Sequence, residues 1–99
     1  MKILFETGKI RIIQENDEWT AFNDFSIFSD MGDSNRRESS YYYIEFENVD
    51  RLYNFLGWLI FEAGHDDRLN ATTYVGFRKR LIKVIIDNRE FLDKCSVNH

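Results

Sequence analysis

Few residues in this chain are equipped for chemistry, and the densest group of them is Glu62, His65, Asp66 and Asp67. Glu62 and His65 stand at i, i+3, the spacing by which one helix face presents a carboxylate and an imidazole to a metal ion. A di-metal carboxylate centre needs a second Glu-x-x-His and two further inward Glu residues, and the sequence holds no second copy. The cluster therefore reads as a solvated helix end, and no metal is expected. Cys95 is the single cysteine, with His99 as its nearest histidine in sequence, a poor setting for an activated thiolate. Asp30 and Asp33 flank Met31-Gly32 but lack the repeated aspartates and the bidentate twelfth-position Glu of a calcium loop. GxGxxG, GxxxxGK and GxSxG are all missing, which leaves nucleotide cradling and the common hydrolase elbow without residues to perform them. The chain reads as a protein without a cofactor that binds rather than catalyses.

Composition sets the frame for that binding. The 99 residues include no proline and are 43% hydrophobic, 16% aromatic and 30% charged, which fits one domain over residues 1–99. Aromatic side chains bury about 150 to 250 Å² each, so a core is available without disulfides. One cysteine excludes an internal disulfide and, with no apolar leader in residues 1–6, points to the cytoplasm. The longest apolar stretch, residues 55–61, is far short of the ~20 residues that span a bilayer, so no membrane association is expected.

The elements follow from hydrophobic period. Residues 2–6 and 9–14 are rich in Ile, Leu and Phe and are separated by Thr7-Gly8, a hairpin signal. Residues 18–22 alternate Trp19 and Ala21 against Thr20 and Phe22 and predict a third strand, which 25–28 either continues or follows with a short strand of its own. Residues 29–40 are polar and predict a long loop anchored only by Met31. Residues 41–46 predict a strand with Tyr42, Ile44 and Phe46 on the core face and Tyr41, Tyr43 and Glu45 on the other. From Asn48 the period becomes 3.6: a first helix carries Val49, Leu52, Tyr53, Leu56 and Leu59 and ends at Gly64. A second helix is built on Tyr74, Phe77, Leu81 and Ile85, and a third on Phe91 and Leu92 within 87–95. Strands grouped before helices predict an α+β fold. It would have an antiparallel meander of about four strands in a strand-rich 1–46, followed by two or three helices in 48–95 packed on one face.

Charge is divided along the chain. Residues 1–67 hold 14 acidic and 6 basic side chains, a net of −8, while 68–99 hold 3 and 7, a net of +4, giving the overall −4. Arg78, Lys79, Arg80 and Lys83 are the one basic run that offers itself to phosphate. The acidic residues gather in turns and loop: Glu15, Asp17, Glu18, Asp24, Asp30, Asp33 and Glu38. Carboxylates in such places attract a basic partner at long range. Trp19, Tyr41, Tyr43 and Trp58 add the large amphipathic side chains that dominate interface hot spots.

A short, acidic, aromatic-rich α+β chain without a catalytic motif is similar in profile to bacterial immunity proteins, particularly those of contact-dependent growth inhibition systems. It also resembles some phage-encoded inhibitors. The resemblance implies neutralisation of a cognate protein toxin, often a nuclease, by occluding its active site. In that reading Asp17, Glu18, Asp30, Asp33 and Glu38 meet a basic toxin surface while Trp19, Tyr41 and Tyr43 are the anchors. The alternative is a small nucleic-acid-associated regulator or phage-type inhibitor that uses Arg78, Lys79, Arg80 and Lys83, although the net negative charge disfavours nucleic acid as a partner.

Overall fold

A computed structural model describes residues 2–6, 10–15, 25–38, 41–65 and 72–97. The chain divides into two compact units, Met1–Asn48 and Val49–His99, at the point where the hydrophobic period changes from two to 3.6. Strands belong to the first unit and three of the helices to the second, so the α+β class expected from the sequence is the class observed. No helix among the described residues is long and apolar enough to cross a membrane.

The described strands of the first unit are β1 (Lys2–Glu6), β2 (Ile10–Glu15), β3 (Ser34–Glu38) and β4 (Tyr41–Phe46). They form an antiparallel sheet in the order β1-β2-β4-β3, with β4 in the interior beside β2. The register puts Ile12 opposite both Phe5 and Ile44, and Gln14 opposite both Ile3 and Tyr42. Side chains alternate across a strand, so Ile10, Ile12, Gln14, Tyr42, Ile44 and Phe46 share one face, and all six are buried. That is the core face expected for β4.

Two expectations are overturned in this unit. Residues 25–29 are helical (α1), where the sequence suggested strand. Phe25 and Phe28 stand at i, i+3, both are buried, and the Phe25 ring lies 6.5 Å from that of Tyr42. The 29–40 stretch is also not a continuous loop, because Ser34–Glu38 forms β3 along β4. Its side chains offer no apolar alternation to reveal it, because an edge strand is held by backbone pairing, and charge on an edge discourages further strands from adding. The turn into β3 is tied down locally. The Gly32 amide donates to Ser29 O at 3.0 Å, the Asp33 amide donates to Glu45 O at 2.8 Å, and Asn35 Nδ2 donates to Ser29 O at 3.2 Å. The expected strand at 18–22 lies outside the described residues.

The second unit holds α2 (Val49–Phe61), a 3-10 turn at Ala63–His65, α3 (Thr72–Asp87) and α4 (Arg89–Val97). Val49, Leu52, Phe55 and Leu59 are the buried stripe of α2; Phe77, Leu81 and Ile85 are that of α3; Leu92 is the buried anchor of α4. Helix α2 packs on both α3 and α4. Asn88 separates the last two helices: its Nδ2 donates to Val84 O at 2.7 Å, and its carbonyl accepts from the Leu92 amide at 3.0 Å. The chain thus ends one helix and starts the next through a single polar residue.

Candidate functional site

The face of the sheet opposite the core carries Leu4 and Glu6 from β1, Arg11, Ile13 and Glu15 from β2, and Tyr41, Tyr43 and Glu45 from β4. The register arranges these in three rows. Lys2, Glu15, Tyr41 and Glu38 form the row at one end of the sheet. Leu4, Ile13, Tyr43 and Arg36 form the middle row. Glu6, Arg11 and Glu45 form the last, with signs alternating so that each charge faces its opposite.

A cavity of about 420 Å³ opens on this face, lined by Leu4, Glu6, Arg11, Ile13, Tyr41 and Tyr43 among others. Tyr43 is its floor. Only 5% exposed, the ring is walled by neighbouring strands and covered by the Arg11 guanidinium 5.2 Å from its centroid, and Arg11 also pairs with Glu6. A cation over a tyrosine face is attracted by the ring quadrupole, so Arg11 is held by ring and carboxylate together. Tyr41 is the exposed member of the pair: it is 41% exposed at the cavity's rim, between the Cα positions of Glu15 and Glu38.

The sequence-derived contacts are therefore only partly brought together. Tyr41 and Glu38 are directly opposed in the β3–β4 register. Tyr43 lies in the same cavity but is buried, so it supports the site rather than projecting as an anchor. Asp30 and Asp33 belong to the other end of β4, since Ser34 pairs with Glu45, and Glu45 is four residues or about 13 Å along the strand from Tyr41. Asp33 has a structural task as well: its Oδ2 accepts from the Glu47 amide at 2.6 Å. Asp30 is exposed in the turn after α1. Asp17, Glu18 and Trp19 lie outside the described residues. Glu15, which the sequence placed in a turn, is instead the last residue of β2 and joins the site through its register with Tyr41. Nothing in the local sequence signals that pairing, because the two residues meet across strands far apart in the chain.

Of the basic residues of α3, Lys79, Arg80 and Lys83 share one exposed face, and Arg78 is turned away from it. Successive helical residues are turned by about 100°, so Arg78 and Arg80 point some 200° apart. Arg78 is half-buried with its Nε enclosed, Arg80 lies over the Phe77 ring at 5.7 Å, and Lys83 is paired with Asp87 at 2.8 Å. Lys79 is exposed. At the end of α2, Glu62 and His65 are exposed and are linked through backbone, His65 N donating to Glu62 O at 2.9 Å; Asp66 and Asp67 lie outside the described residues. Cys95 is half-buried on α4. Comparison with protein-family models, curated proteins and solved structures finds no match to this chain.

Proposed function

We propose that this chain is a binding module of the immunity or antitoxin type, which acts in the cytoplasm and neutralises a cognate basic toxin, such as a nuclease, by covering its active site. The observation that carries this reading is Tyr41, 41% exposed at the rim of the outer-face cavity, with Glu15 and Glu38 opposite it in the strand register. Exposed tyrosine supplies contact area at low entropic cost, and flanking carboxylates favour a cationic partner and speed its approach. Charge in the same unit agrees: residues 1–48 hold 10 acidic and 5 basic side chains, a net of −5. This reading centres on Tyr41 with Glu15 and Glu38, whereas the sequence alone centred it on the Asp30 and Asp33 loop. The nucleic-acid alternative draws less support, because Lys83 is engaged by Asp87 and Arg78 is turned away from the face that Lys79 and Arg80 share.

The test is co-expression and binding with the product of the gene immediately upstream of this chain's own. A toxic basic product whose toxicity this chain relieves is the expected result. Reversing Glu15 and Glu38 to Lys is expected to slow association about tenfold or more at low salt and to flatten its salt dependence. Tyr41→Ala is expected to act on dissociation instead, at a cost of about 2 kcal/mol. Protection that survives both changes overturns the outer-face reading, and a neighbour that is neither toxic nor bound overturns the immunity reading.

A further inference from the structure

The helical unit has an apolar groove of its own, independent of the sheet. It encloses about 360 Å³ and is lined by Tyr53, Leu56 and Ile60 of α2, Ile85 and Ile86 of α3, and Arg89 at the start of α4. Tyr53, Leu56 and Ile60 fall at i, i+3 and i+7, so they line the groove along about 10 Å of helix. The walls are not hidden: Ile60 is 40% exposed and Ile86 51%. Polar groups are confined to one end. There the Tyr53 hydroxyl donates to Asp93 at 2.6 Å and Arg89 reaches Asp93 only at 3.9 Å, with the Arg89 side chain 76% exposed. Asp93 thus spends its closer contact on Tyr53. A guanidinium has five donors, and the one long contact with Asp93 leaves most of them to meet an arriving anion.

From this arrangement we infer a second binding site on the chain, for a medium-length alkyl carboxylate whose tail lies along Leu56, Ile60 and Ile86 and whose head group pairs with Arg89. The volume falls in the range of small-ligand sites, about 300 to 1,000 Å³, and the pattern of apolar walls with one convergent polar end is that of such sites. Charge chooses the head group, because Arg89 is the only ionisable side chain among the described lining residues apart from the Tyr53 phenol, which is neutral at physiological pH.

The experiment is a titration of the full chain with decanoate, followed by amide chemical shifts, beside the same titration with decyltrimethylammonium, which keeps the tail and reverses the head charge. Both are used below micelle formation. Saturable shifts centred on Leu56, Ile60, Ile86 and Arg89, with the cationic amphiphile binding at least tenfold more weakly, are expected. Arg89→Gln, at a position whose side chain is 76% exposed, should bring decanoate down to the level of the cationic compound. Equal affinities for the two head groups, shifts elsewhere on the chain, no saturable binding, or a decanoate affinity untouched by Arg89→Gln would each overturn the site. None of these outcomes depends on toxin binding, so the two readings fail separately.

Discussion

The Tyr53 hydroxyl donates a 2.6 Å hydrogen bond to Asp93 Oδ1 and joins α2 to α4 across 40 residues of chain. Burial, the bond to Asp93 and the negative charge of Asp93 push the phenol up from 10.0 to about 12, with the positive charge of Arg89 opposing them. The folded chain holds this proton more tightly than the unfolded chain does. Its contribution to stability is therefore complete below pH 10 and is lost as pH rises from 10 to about 12. Tyr53→Phe should cost about 1 kcal/mol near neutral pH by removing the bond. The stability gap between wild type and variant, measured by urea unfolding, should close as pH is raised through that window. A gap independent of pH would show that the phenol and Asp93 are not coupled.

Gln14 is fully buried on the core face of β2, and among the described residues neither its amide oxygen nor its amide nitrogen has a hydrogen-bond partner. An unsatisfied buried amide costs about 1 to 3 kcal/mol. Gln14→Met keeps length and volume while removing the polar atoms, so the urea midpoint should rise with an unchanged slope, by the equivalent of about 1 kcal/mol. A fall in the midpoint would mean that the amide is bonded in the folded chain.

Two glycine substitutions should move stability in opposite directions. A Cβ at Gly32 would run into Ile44 Cγ2 and crowd Glu45 O at 3.3 Å and Ser29 O at 3.4 Å, so Gly32→Ala is expected to cost about 1 to 3 kcal/mol. At Gly57, inside α2, a Cβ meets nothing within 4 Å. Gly57→Ala should stabilise by about 0.5 to 1 kcal/mol, because the helix no longer orders a glycine backbone. Thermal unfolding of the two variants checks both signs.

Asp30 and Asp33 look alike in sequence but should respond differently to charge reversal. Asp33 accepts the Glu47 amide at 2.6 Å, so Asp33→Lys is expected to destabilise the chain by about 1 to 2 kcal/mol. Asp30 is exposed, and Asp30→Lys should fall within about 0.5 kcal/mol of wild type. On the proposed function, which centres on Tyr41, Asp30→Lys should also change partner association less than Glu15→Lys does. A larger effect at Asp30 would return the site to the turn after α1.

How much was legible in the sequence depends on what holds each element. The helices were readable because their stability comes from an apolar stripe that the chain displays directly: Leu52, Phe55 and Leu59 on α2, and Phe77, Leu81 and Ile85 on α3, recur at the helical period and are buried. The core face of β4 was readable for the same reason at period two. Helix α1 was missed because Phe25, Ile27 and Phe28 are too few to separate the two periods, although the i, i+3 spacing of the two phenylalanines was the available signal.

The rest was decided by tertiary structure. Strand β3 is held by backbone groups that every residue possesses, so Ser34–Glu38 carries no apolar mark of its own. Tyr43 stands on the face that period two assigns to solvent, yet its interior strand and the Arg11 guanidinium bury it. For the proposed site, Glu15, Tyr41 and Glu38 stand in one row only because β4 lies between β2 and β3. By itself the sequence determined the class of fold, the helical stripes, the lack of catalytic motifs and the excess of acid in the strand-rich part. Which carboxylates stand beside which tyrosine was settled by strand register, since register is a long-range pairing that no local pattern encodes.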